Sequence, residues 1–209
     1  HIVHAHKGAC WFTAATRGRA VHASDPSRGD NAILKMPAVW KILEEATAEA
    51  GRTYCSAVLG KPTVSVGTIR GGTGTNVVPD RCEIQVDRRL MPGETAAQVL
   101  DDLRARFAAI PGGVEIGLLK EGLPFHTDVE APLVRRFSAA LAASGVPPVR
   151  EGAAWCSDAG PLAPVCGETI VWGPGAIGQA HTIDEYIEKS SLVAGVDVLR
   201  RYLLVAACG

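Results

Sequence analysis

The sequence predicts a mixed α/β chain in two parts: a β-α-β-β-α-β unit over residues 9–122, then helices and one strand that belong to a larger α/β layer. Three observations predict this. Period-two alternation marks four strands before residue 122, and apolar residues three and four apart mark two helices among them. After Gly122 helical patterns outnumber strands, leaving too few strands for a sheet of their own.

The first strand candidate runs from Ala9 to Val21, with Cys10, Phe12 and Ala14 alternating with Trp11, Thr13 and Ala15. A turn dense in punctuating residues follows, Ser24-Asp25-Pro26-Ser27-Arg28-Gly29-Asp30. Asp30 is placed to cap a helix whose stripe is Ile33, Met36, Trp40 and Leu43. Pro37 should kink that helix or mark its first turn. Two strands come next, one around Val64 and Val66, the other carrying Cys82, Ile84 and Val86. The glycine-rich stretch Gly71 to Asn76 links them. Thr95 and Gln98 form a capping box for a helix with Val99, Leu103 and Phe107 on one face, ending at Pro111-Gly112-Gly113. Val114, Ile116 and Leu118 mark the fourth strand. This order is the split βαβ, ferredoxin-like unit, with both helices on one sheet face. In the second part, Pro132 to Ser144 reads as a helix and Thr169 to Trp172 as a strand. Thr182 to Glu185 reads as the cap of a last helix with a buried stripe of Leu192, Val196, Leu199 and Leu203.

The 209 residues carry 47% hydrophobic and 21% charged residues, enough to bury a core without staples. A net charge of −1 gives no reason to expect nucleic acid as a partner. No apolar run reaches the ~18–20 residues of a membrane span, and no leader pattern opens the chain. The six cysteines make no CxxC pair, and Cys10 and Cys82 read as small core hydrophobes. A reducing, cytoplasmic setting is expected.

Several polar residues sit where chemistry is done. His181 precedes the last helix, held by backbone on both sides, which suits a metal ligand or a hydrogen-bonded helix-start histidine. His22 ends a strand and is suited either to donate to an oxyanion or to sit in a surface turn. Asn76 closes the glycine-rich loop, and its amide suits a carbonyl or carboxylate, or a plain hairpin connection. Arg89 suits a carboxylate clamp, or an ion pair with Asp87. Gly173 and Gly175 could present backbone N–H groups to an anion, or form a turn. Asp158 could orient a ligand histidine or cap a helix.

Six stretches carry a resemblance: His6-Lys7-Gly8, GRAVHASDPSRGDNAI (18–33), TNVVPD (75–80), DRRLMPG (87–93), SDAG (157–160) and GPGAIGQAHTIDEY (173–186). In this order the set resembles the zinc-dependent deacylase and carboxypeptidase family that includes acetylornithine deacetylase, succinyl-diaminopimelate desuccinylase and glutamate carboxypeptidase. The last stretch leans toward the acetylornithine deacetylase branch. The resemblance implies an enzyme with two metal ions, zinc by expectation with cobalt or manganese as substitutes, and a lid that makes a homodimer. Residues 9–122 match the lid; residues 1–8 and 123–209 match the entry strand and the C-terminal part of the catalytic domain. It implies hydrolysis of an amide bond in an N-acyl amino acid or small peptide. By the same resemblance His181 is a metal ligand, and His22 polarises the scissile carbonyl in the partner's site. Asn76, Arg89 and the backbone at Gly173 and Gly175 hold the substrate carboxylate. The family's HxD motif, bridging Asp, Glu-Glu pair and further acidic ligand are not in this sequence, and His1, His4 and His6 do not replace them. The chain is therefore expected to lack an upstream segment and most metal ligands. The alternative is a non-catalytic dimerisation or binding module.

Overall fold

The computed structural model describes residues 1–207, and Cys208 lies outside the described residues. Two sheets organise the chain. The first has the order β6-β1-β7, built from β1 (Ile2–His6), β6 (Phe125–His126) and β7 (Arg150–Ala153). The second has the order β3-β4-β2-β5, from β2 (Gly8–Arg17), β3 (Thr63–Gly71), β4 (Arg81–Leu90) and β5 (Val114–Gly122). Every neighbouring pair in the second sheet is antiparallel. With α1 (Ala32–Thr53) between β2 and β3, and α2 (Ala96–Phe107) between β4 and β5, it is the ferredoxin-like unit that alternation predicted.

Both helices cover one face. Met36, Val39 and Leu43 of α1 and Leu100, Leu103 and Phe107 of α2 bury against Cys10, Phe12, Ile84 and Val86. The α1 stripe differs from expectation: Ile33 and Trp40 turn outward, and Ala32 and Val39 take the inward positions. The cap also shifts by one residue. Asn31, not Asp30, accepts from the backbone N–H of Ile33 and Leu34, while Asp30 pairs with Lys35. Pro37 falls inside α1 and does not mark its first turn, so the helix runs through the one hydrogen bond it forfeits. The Thr95–Gln98 capping box forms as predicted.

In the second part, α3 (Pro132–Ala143), α4 (Ala159–Cys166) and α5 (Lys189–Ala207) surround the first sheet. Ile2, Phe137, Leu141 and Val198 make its core, with Trp172 and Tyr202 ringed around Phe137. Two expectations fail here. The strand at 169–172 reduces to one bridge, Val171 against Val3, because Thr169 is held by the Thr127 hydroxyl instead of by ladder bonds. The last helix starts at Lys189 rather than at Thr182, and Leu192, Val196, Leu199 and Leu203 are exposed instead of buried; Val198 and Tyr202 face the core. No helix is long and apolar enough to cross a membrane among the described residues.

Candidate functional site

The candidate residues fall into three groups. The first is the tip of the four-stranded unit. Beyond Arg17 and Arg81, which pair at the end of β2 and β4, the chain continues as two loops that run together. Val78 N–H donates to Val21 O and Ala23 N–H to Asn76 O, and His22 bridges Val77. His22 and Asn76 are thus brought side by side, both exposed. Gly18 makes the crossing possible, since a Cβ there would lie 2.0 Å from Asp30 O.

The His22 ring has a defined tautomer. Ser24 N–H donates to Nδ1 at 3.2 Å, with Ser24 Oγ 2.8 Å from the same nitrogen. Nδ1 is the acceptor, so the proton of the neutral ring sits on Nε2. An exposed Nε2–H is a donor free to meet a substrate oxygen.

The second group is the root of the same unit. Arg89 lies eight residues beyond Arg81 on β4, roughly 27 Å away at ~3.4 Å per residue. The fold therefore does not place it with His22 and Asn76. Its Nη2 donates to Asp87 Oδ2 at 2.9 Å, the ion pair that the sequence offers as the alternative to a clamp. That bond uses one of the five donors of the guanidinium, so the fork retains capacity for a second carboxylate.

Two neighbours of Arg89 lie in the stretches that carry the resemblance, but the sequence assigns neither a role. Arg88 turns into the core and pairs with Glu94, each side chain 4% exposed. The strand alternation itself carried the signal: Cys82, Ile84, Val86 and Leu90 face inward, so residue 88 does too. Lys7 is buried at the crossing into β2, where its Nζ donates to Lys61 O at 2.6 Å. Burial, then the charges of Arg88 and Arg89, hold Lys7 below the usual lysine range.

The third group belongs to the second part. Gly173 and Gly175 line a cavity of about 680 Å3 together with Val3, Trp155, Trp172 and Tyr186. Among the described residues, neither glycine's N–H is engaged by a backbone acceptor. His181 stands beside this cavity, its backbone N–H donating to Glu185 Oε2 at 3.0 Å. Its φ of 65° is in the left-handed region, and no other non-glycine described residue is there. Asp158 makes no side-chain cap to α4. Among the described residues no group of three or more His, Cys, Asp or Glu side chains is arranged to hold a metal. One imidazole does not hold zinc, which takes about four ligands, so these residues do not form a metal centre by themselves.

A four-stranded antiparallel unit with His22 and Asn76 at its tip, rooted in a second α/β layer, is an arrangement this chain shares with known proteins. Residues 4–114 match the sequence profile of the peptidase dimerisation domain. The acetylornithine deacetylase of Klebsiella pneumoniae (strain 342) is 31% identical over 193 residues, covering 89% of this chain and 49% of that protein. The M20 family metallo-carboxypeptidase Sso-CP2 of Sulfolobus solfataricus superposes with a TM-score of 0.78 at 17% identity, over 97% of this chain and 59% of that one. A tripeptidase of Staphylococcus aureus superposes with a TM-score of 0.75 at 18% identity, over 100% of this chain and 54% of that one. The chain belongs to the M20 peptidase family. It spans about half the length of the relatives it matches.

Proposed function

We propose that the protein hydrolyses an amide bond in an N-acyl amino acid or small peptide, with this chain supplying the lid and one metal ligand. The observation that carries the reading is the His22 tautomer: an exposed Nε2–H, fixed by Ser24, beside the Asn76 amide. As water adds to the scissile carbonyl, negative charge grows on its oxygen, and an N–H aimed there stabilises the transition state more than the ground state. Asn76 and Arg89 hold the substrate carboxylate, and the N–H groups of Gly173 and Gly175 add donors from the other side of the cleft. The tip lies far from Arg89 of its own chain, so His22 and Asn76 serve the site of a second copy while Arg89 serves its own. The reading takes the protein as a homodimer, and the match to the peptidase dimerisation domain supports it. β3 is one of two edge strands open to such pairing, and it carries exposed Ile69.

The metal in this reading is zinc, two ions per site, with cobalt or manganese as substitutes. His181 is one ligand, and the remaining ligands and the water-activating base are not among the described residues. Unpaired cysteines at 10, 55, 82, 156 and 166 support a reducing, cytoplasmic setting.

The test is hydrolysis of a panel of N-acyl amino acids and dipeptides by the full-length protein with added zinc or cobalt. His22→Ala should lower kcat by about 10²-fold or more while leaving bound metal unchanged. No turnover across the panel, or an unchanged kcat in the variant, would overturn the reading.

A further inference from the structure

The sequence singled out His6-Lys7-Gly8 and Ser157-Asp158, and the proposed chemistry uses neither His6 nor Ser157. The structure brings these two together. His6 is fully buried at the end of β1, one residue before the chain crosses into the lid. Its Nδ1–H donates to Lys7 O at 3.0 Å. Its Nε2 accepts the backbone N–H of Ser157 at 3.1 Å and faces Ser157 Oγ at 3.0 Å. The ring is therefore the Nδ1–H tautomer, opposite to that of His22.

The segment that His6 grips, 155–160 at the entry to α4, touches both chain crossings between the two sheets. A Cβ on Gly122, where β5 leaves the lid, would lie 3.0 Å from Cys156 Sγ. A Cβ on Gly160 would lie 2.0 Å from Leu123 O, just beyond. On the other flank a second wedge, Leu59 against Ala5 and Met91, packs beside the Lys7 to Lys61 bond. The lid is thus seated between two wedges, one of apolar packing and one tied by a single imidazole.

We propose that His6 is a positioning residue: its bonds to Ser157 clamp the 155–160 wedge against the lid root and so set where His22 and Asn76 stand. The functional meaning rests on the reading of His22 given above. The lever is long. β2 spans ten residues, ~34 Å at ~3.4 Å each, so a rotation of roughly 10° at the root moves the tip by about 6 Å. That is ample to take an oxyanion donor out of hydrogen-bond reach.

The clamp works only with a neutral ring. Protonation puts an N–H at Nε2, facing the Ser157 N–H that it must accept. Phe125 of β6 and Trp155 pack against the ring, and neither is ionisable. The titratable neighbours are Lys7, Cys156, Asp158 and His126, and none bonds or ion-pairs with the ring; Lys7 is turned to Lys61 O. Burial lowers the His6 pKa below 6.5. The unfolded chain then takes up its proton first, so stability and clamp are both present above that range and are lost as pH falls through the folded value.

The experiment places a donor–acceptor dye pair on the 209-residue chain, one at Arg28 in the tip and one at Asp128, attached through non-cysteine chemistry. In the wild type the mean distance should change by several ångströms, about 6 Å on that arm, as pH falls from about 7.5 through the lowered His6 value to the onset of acid unfolding. His6→Gln offers an amide oxygen to the Ser157 N–H at any pH and should abolish the change. Ser157→Ala deletes one donor to the neutral ring and should move the transition to higher pH. A wild-type distance that does not respond to acid, or a response that survives in His6→Gln or keeps its midpoint in Ser157→Ala, overturns the clamp. No substrate is present, so a failed clamp with a kcat-deficient His22→Ala separates this inference from the proposed function.

Discussion

Removing Glu94 tests how the root of the lid is held. The carboxylate receives Arg88 Nη2 at 2.6 Å and Nη1 at 3.3 Å, and accepts Met91 N–H at 2.8 Å. Both side chains are 4% exposed, so solvent screens the pair weakly. Glu94→Ala strands a guanidinium in the core with only Arg89 O for company and orphans the Met91 donor. Breaking one side of such a buried pair costs about 3–5 kcal/mol, against about 0–1 kcal/mol for an exposed pair. With a urea m-value of about 2 kcal/mol/M, the unfolding midpoint should fall by roughly 1.5–2.5 M. Arg88→Met combined with Glu94→Gln removes both charges, keeps an acceptor for Met91 N–H, and should recover most of the loss. Urea unfolding followed by far-ultraviolet circular dichroism reads all three chains. A loss below about 1 kcal/mol for Glu94→Ala would show that water reaches the pair, and the account of a sealed root would be wrong.

Two further outcomes follow. With a thiol reagent on the folded chain, exposed Cys55 and Cys166 should react first, whereas Cys10, buried and pushed up to about 11 chiefly by burial, should react only on unfolding; rapid Cys10 labelling would show that the core between β2 and the helices is open. Ile69→Asp, exposed on the edge strand β3, should shift sedimentation from dimer toward monomer with little change in thermal stability; a dimer of unchanged affinity would place the interface elsewhere.

Strand alternation made the lid legible because the sheet has one dry face and one wet one. Cys82, Ile84 and Val86 against Arg81, Glu83 and Gln85 leave no second reading, and order alone then sets the topology. α1 was read one step off. Ile33 and Trp40 keep helical spacing with Met36 and Leu43, but the helix also carries Val39, and periodicity does not choose between overlapping apolar arcs. Arg88 was missed because a charged residue in an inward position reads as an exception until its partner is seen. The pairing of His22 with Asn76 was not readable from either residue, since it depends on two loops meeting past the sheet end. The first sheet was nearly invisible: β6 and β7 are two and four residues long, too short for a period to register.

α5 shows most clearly what periodicity does and does not say. Leu192, Val196, Leu199 and Leu203 were read as one buried stripe, and they do share one side of the helix. The structure instead buries Val198, at 0% exposure, with Tyr202 beside it, and leaves Leu203 63% exposed. Both patterns are real, because the helix is apolar on two sides. A surface helix needs one apolar stripe, whereas a helix that is apolar all round belongs between layers. One side of α5 is covered by α3 through Phe137, and the other faces outward with Leu162 and Val165 of α4 also exposed. The matched relatives are about twice as long as this chain, which leaves ample further sequence in the family to form a covering layer. The same relatives bear on His181, whose lone imidazole is no metal centre among the described residues. On the proposed reading, the exposed side of α5 and the lone imidazole of His181 are two expressions of one arrangement: a further part of the α/β layer that supplies cover and co-ligands alike.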